Sequence, residues 1–131
     1  MKKYILMLIA IIFIAAIVFT GPGNGKTKAV KEDGVLSVND IQSDPAAYKG
    51  TVTITGVVSR ISGPNQRTFM LVDTHEAKLC KSTHCAKFYL PVQAQVALPK
   101  EWDEVNVTGS FVQGGKIFQA AKVEVIRHLT F

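Results

Sequence analysis

The stretch Thr51–Ile61, TVTITGVVSRI, constrains this chain more than any other. Val52, Ile54, Val58 and the threonines among them are β-branched. Such side chains are stiff at χ1 and pack well on a pleated surface, so the run reads as one long strand. Gly56 sits in its middle, where a glycine marks a bend or a bulge. Val105–Phe111, VNVTGSF, repeats the pattern with a second Thr-Gly pair inside β-branched alternation. Two long, glycine-kinked strands in a small all-β domain predict a sheet that curls until it closes.

The rest of the chain fits around those two strands. Leu36–Tyr48 reads as a short helix or two helical turns, with Ser37 a cap for the first and Asp44-Pro45 a cap and first-turn proline for the second. Ser62–Arg67 is a loop by composition, and Thr68–Thr74, apolar on both faces, is a second strand. His75–Lys87 reads as a hairpin-like excursion, followed by a strand over Phe88–Val92 that Pro91 confines to an edge or to a strand end. Gln93–Asp103 is a connection in which Asp103-Glu104 reads as ordinary solvated carboxylates at a strand entrance. Gly114-Gly115 suits a hairpin turn, Ile117–Ile126 is the last strand, and Arg127–Phe131 a short tail. Five strands behind a short helix predict a mainly β fold, a five-stranded OB-fold-like Greek-key barrel, with an SH3-like barrel as runner-up.

Residues 1–20 stand apart as a membrane anchor or signal segment. Lys2 and Lys3 precede Tyr4–Phe19, an uncharged apolar run. As a helix it would rise roughly 24 Å, somewhat short of a bilayer core of roughly 30 Å, which local thinning can accommodate. Ala15–Gly21 offers no clean small-x-small cleavage site, which favours a retained transmembrane anchor over a cleaved signal. Residues 21–35, rich in glycine and charge, form a flexible linker, and 36–131 form the barrel domain. The reading is a single-pass membrane protein whose C-terminal domain lies outside the cytoplasm, in the periplasm or at the cell exterior. Of the formal net charge of +5, Lys2 and Lys3 carry two, so the remainder is only mildly basic. That balance selects neither an anionic membrane surface nor nucleic acid.

Over Tyr48–His128 the chain resembles membrane-anchored extracytoplasmic OB-fold proteins, and is distantly similar to the haem chaperone of cytochrome c maturation. The resemblance lies in the late strands, LPKEWDEVNVTGSFVQGGKIFQAAKVEVIRH, with Val107-Thr108-Gly109, Gly114-Gly115-Lys116, and Ala121-Lys122 ahead of His128. It implies the barrel, the anchor and the extracytoplasmic address, and at His128 it implies a haem-attaching histidine. The Cys80–Cys85 excursion ahead of Leu90-Pro91-Val92 looks more like exported OB-fold relatives with a cysteine-containing insertion.

The residues themselves leave several sites open. Cys80 and Cys85, in CKSTHC, form a disulfide in an oxidising compartment, with a redox-active pair or metal ligation as the other readings. A redox pair is the weaker fit, because four residues separate the sulfurs and no long helix N-terminus lowers a thiol pKa. For zinc, His75 and His84 would complete a four-ligand set with both cysteines, and His128 could bind haem or a metal. No cofactor is required by any of this, with haem and zinc as the alternatives. The ligand surface of an OB barrel is the face of its second and third strands with flanking loops. That places Arg67, Phe69, Phe88 and Tyr89 as candidates. No nucleophile-base set and no phosphate loop is present, so the expectation is a binding protein and not an enzyme. A protein or small-molecule ligand, in assembly or maturation of envelope or redox proteins, is the leading reading. An oligonucleotide-binding domain is the alternative, set back by an exported address.

Overall fold

The computed structural model describes residues 34–131 except 63, 64 and 66, so the expected anchor and nearly all of the expected linker lie outside the described residues. Among the described residues no helix is long and apolar enough to cross a membrane. The described residues form six strands and two short helices in the order β1 (Val35–Ser37), α1 (Val38–Ile41), β2 (Val52–Ile61), β3 (Thr68–Val72), α2 (Thr74–Cys80), β4 (Leu90–Ala94), β5 (Asp103–Val112) and β6 (Ile117–His128). A 3₁₀ turn at Pro45–Ala47 precedes β2, and another at Gln113–Gly115 joins β5 to β6.

The sheet runs β1-β2-β3-β4-β6-β5, and β5 returns to pair with β2, which closes it. β2 to β6 therefore form a five-stranded barrel with Greek-key strand order, antiparallel except where β4 lies parallel to β6. That is the OB-fold-like architecture, and the SH3-like runner-up is set aside. β1 pairs in parallel with Thr53–Thr55 on the edge of β2 that β3 takes up from Val57 onward. It begins at Val35, so the last residue of the expected linker is already part of the sheet.

The interior is filled by the inward rows of all five strands. Ile54, Val58, Phe69, Leu71, Leu90, Val92, Val105, Val107 and Phe118 are fully buried, and α1 inserts Val38 and Ile41 among them. Each such side chain stabilises the fold by about 1.5–3 kcal/mol on burial. A second, smaller cluster lies under α2, where Val57, Val72 and Ala77 pack with Ala86, Trp102 and Leu129.

The glycines at the two kinks do different work from a simple bend. At Gly56 an added Cβ would lie 2.8 Å from the Val72 carbonyl oxygen and 2.9 Å from Val38 Cγ2, so its role is close approach of β3 and α1. The bulge in β2 falls three residues later: Val58 pairs with Leu71 and Arg60 with Met70, which leaves Ser59 as the extra residue. At Gly109 the register of β5 against β6 does shift, with Thr108 opposite Lys122 and Gly109 opposite Ala120, so the extra residue is Ala121 on β6.

Ser37 caps α1 as expected, its hydroxyl accepting from Asp40 N at 3.2 Å while its own N–H donates to Asp40 Oδ2 at 2.8 Å. Asp44 makes no side-chain cap for the 3₁₀ turn that starts at Pro45. Other differences are local. The excursion after β3 opens with a true helix, α2, whose N-cap is Asp73: its Oδ1 accepts from His75 N at 2.9 Å and Glu76 N at 3.3 Å. Pro91 sits second in β4 between β3 and β6, but the ladder to β6 begins only at Val92, so the missing N–H is not needed there. His128 is not in a tail: it is the last residue of β6, opposite Asp103, the first of β5.

Candidate functional site

The bulge at Ser59 builds the site. Before it, the even residues Val52, Ile54 and Val58 face the core, and in strict alternation Arg60 would follow them inward. One extra residue reverses the phase, so Ile61 packs on the core and Arg60 turns out to solvent. There it borders a cleft of ≈ 240 Å³ lined by Ser59, Arg60, Met70, Thr83, His84 and Tyr89. The floor is β2 and β3, and the wall is the loop that follows α2. Ser59 Oγ donates to the Met70 carbonyl at 3.5 Å, tying the bulge to the neighbouring strand.

The wall is fixed covalently. Cys80, at the end of α2, and Cys85 form a disulfide with Cα atoms 6.6 Å apart. Lys81, just inside the ring, takes a left-handed conformation (φ 48°) that ends the helix and turns the chain back. Thr83 is nearly fully buried at the cleft, and His84 N donates to Ser82 Oγ at 3.1 Å. Glu76 holds the loop from outside, accepting from Lys87 N at 3.0 Å.

Of the four expected ligand residues, the cleft takes only Tyr89, which is 37% exposed. Phe69 is a core residue with no exposed surface, so it is corrected from ligand contact to packing. Its neighbours in an apolar run on a strand between two others give it nowhere else to go. Phe88 is half-buried against the same core. Arg67 is exposed with a positive φ of 46°, and its Nη1 donates to the Gln95 carbonyl at 2.6 Å, beside a different depression. Arg60, Ser59, Met70 and Thr83 are cleft residues that were not anticipated.

The histidines do not converge. His84 borders the cleft, His75 lies on α2, and His128 Nδ1 sits 2.8 Å from Asp103 Oδ1 at the end of β6. The zinc set of His75, His84 and two thiolates is not assembled, because both sulfurs are bonded to each other. Among the described residues no group of three or more His, Cys, Asp or Glu side chains is arranged to hold a metal ion.

Asp103 and Glu104 are not solvated: both are about 6% exposed. Asp103 Oδ2 accepts from Lys100 N at 2.8 Å, closing the turn into β5. Glu104 meets Lys78 Nζ at 3.5 Å and Arg127 Nε at 2.6 Å, the latter as an ion pair without hydrogen-bond alignment. These contacts join α2, β5 and β6, a structural role away from the cleft.

No family model matches the sequence, nor does any curated protein. Among solved structures, the crystal structure of telomere capping protein Ten1 from Saccharomyces pombe is similar, with a TM-score of 0.47 and 15% identity over 70% of this chain and 79% of that one. The barrel assignment rests on the strand order itself.

Proposed function

We propose that this chain is a membrane-tethered OB-fold binding module that works outside the cytoplasm and takes its ligand in the β2–β3 cleft. The observation that carries the site is the concavity itself: a strand bulge presents Arg60 beside Tyr89, under a loop locked by a disulfide. Pre-formed hollows with an apolar floor and a few placed polar groups are where small ligands bind. The address is supported by the apolar run Tyr4–Phe19 behind two lysines, and by the disulfide, a bond that persists in oxidising compartments. Fractionation of cells expressing the full chain, with intact mass after alkylation, tests the address. The expected species is membrane-bound and full-length, and its cysteines alkylate only after reduction. A soluble species with two free thiols would overturn the tethered, exported reading.

A second reading, a single-stranded oligonucleotide on the same face, is favoured by a cation and an exposed aromatic sharing the outer face of an OB barrel. It needs a basic groove that tracks several phosphates, whereas the cleft offers one arginine. Fluorescence titration of a labelled oligothymidylate across salt concentrations separates the two. A steep log–log slope reflecting several phosphates favours the oligonucleotide, while no binding, or a slope of about −0.7 for a single phosphate, favours the small-ligand cleft.

A further inference from the structure

We infer that the cleft is selective for a small organic oxyanion, a carboxylate or phosphate monoester carried on a planar or apolar body; this rests on the cleft being the ligand site. Apart from Ser59, whose hydroxyl proton goes to the Met70 carbonyl, every polar side chain bordering it among the described residues can donate: the Arg60 guanidinium, the Thr83 and Tyr89 hydroxyls and the His84 imidazole. No carboxylate lines it among the described residues, so nothing there competes for the guanidinium or favours a cationic guest. The five ion pairs found among the described residues all bypass Arg60.

Arg60 is also placed deliberately. A solvent-facing arginine on a regular strand would be unremarkable surface charge, but here a bulge is needed to keep it out of the barrel. Arginine's planar fork matches an oxyanion in two parallel hydrogen bonds. The remainder of the guest is set by Met70, a polarisable thioether that adapts to flat apolar shapes, and by the exposed ring of Tyr89. At ≈ 240 Å³ the cleft is small, which suits one ring bearing one oxyanion group.

The methionines supply the readout. The chain has three, at positions 1, 7 and 70, and among the described residues Met70 is the one methionine and lines the cleft, so its signal in a ¹³C-methyl-methionine spectrum of the full chain in detergent, assigned by Met70→Leu, reports the site. The probes are phenyl phosphate, benzoate, inorganic phosphate, benzyl alcohol and benzylamine. Phenyl phosphate and benzoate are expected to shift Met70 saturably, with a Kd of about millimolar for ligands of this size. Inorganic phosphate should bind more weakly, and the alcohol and amine should leave Met70 unmoved. Arg60→Gln should weaken both oxyanions about tenfold or more, Arg60→Lys should restore part of that loss, and Tyr89→Ala should reduce phenyl phosphate toward inorganic phosphate. If benzyl alcohol or benzylamine shifts Met70 as strongly, or Arg60→Gln binds phenyl phosphate as wild type does, the anion assignment is wrong while the cleft remains a ligand site. If no probe moves Met70, the cleft reading falls and the anion inference falls with it.

Discussion

A single methyl group at Gly109 would test the tightest seam of the barrel. An added Cβ there would run into the backbone of Gln119 and Ala120 on β6, which cannot move aside as a flexible side chain would. Gly109→Ala is expected to destabilise by about 2 kcal/mol or more, which in a domain of this size lowers Tm by roughly 10 °C. Thermal unfolding by circular dichroism checks it, and an unchanged Tm would show that β6 shifts freely at the Ala121 bulge. Glu104 gives a second test, with a definite order. The buried carboxylate needs its cations more than they, both substantially exposed, need it. Arg127→Met is therefore expected to cost about 1–2 kcal/mol, more than Glu104→Met or the double variant, because only the first leaves a buried charge short of its partner. Denaturant titration of all three would reverse the assignment if Glu104→Met were the worst. At this scale the sequence was half legible. The Thr-Gly pair at 108–109 announced a kink, but alternation alone places Arg60 with Val58, in the core row. The signal was in the run: an arginine in phase with apolar residues, followed by Ile61 out of phase, requires one extra residue between Val58 and Ile61. Phe69 is core for a simpler reason: on β3 it alternates with Met70, so with Met70 facing the cleft Phe69 points into the barrel, whatever the usual ligand face of the fold.

Among the elements, α2 and its disulfide loop were the least legible and matter most to the cleft. A seven-residue helix is too short to announce itself by periodicity and too short to hold alone in water. Its legible mark is Asp73 three residues ahead of Glu76, a helix-start pattern with too short an apolar run behind it to show a helical period. Asp73→Ala removes the acceptor for two helix N–H groups and the 3.4 Å contact from Asn39 N, so a loss of about 1 kcal/mol is expected in denaturant titration. The cysteine pair carries a larger share. Cross-linking residues five apart restricts the unfolded chain by roughly 2 kcal/mol. The Cys80→Ser, Cys85→Ser double variant should unfold about 10 °C lower, with its far-ultraviolet spectrum still that of a β protein, because the barrel ladders do not pass through the loop. A wild-type Tm would mean that the packing of Thr83 and Ala86 alone holds the wall.

For the molecule as a whole, closure is legible in the residues themselves, whereas the Greek-key order comes only with the OB-fold reading. Two long kinked strands required a curled sheet, yet nothing in composition says that β6 passes between β4 and β5, because that order is set by loop reach and twist once the core collapses. The closed barrel has one uneven place, and hydrogen exchange should expose it. β2 pairs on both edges over Thr53–Thr55, as does Val57, and β5 pairs with both β2 and β6 over most of its length. β6 pairs with β5 from end to end, but with β4 only over Phe118–Ala120, so from Ala121 to His128 its outer edge has no strand against it among the described residues. Val125 and Ile126 are about half exposed there. Amides of Ile54, Val57, Val105 and Val107 should therefore exchange only through global unfolding, while the second half of β6 exchanges faster by local fraying. Uniform slow exchange along Ala121–His128 would contradict an open edge, and would mean that another strand covers it. Repeating the measurement at tenfold lower protein concentration then names the cover: protection lost on dilution belongs to a second copy, and protection retained belongs to this chain itself.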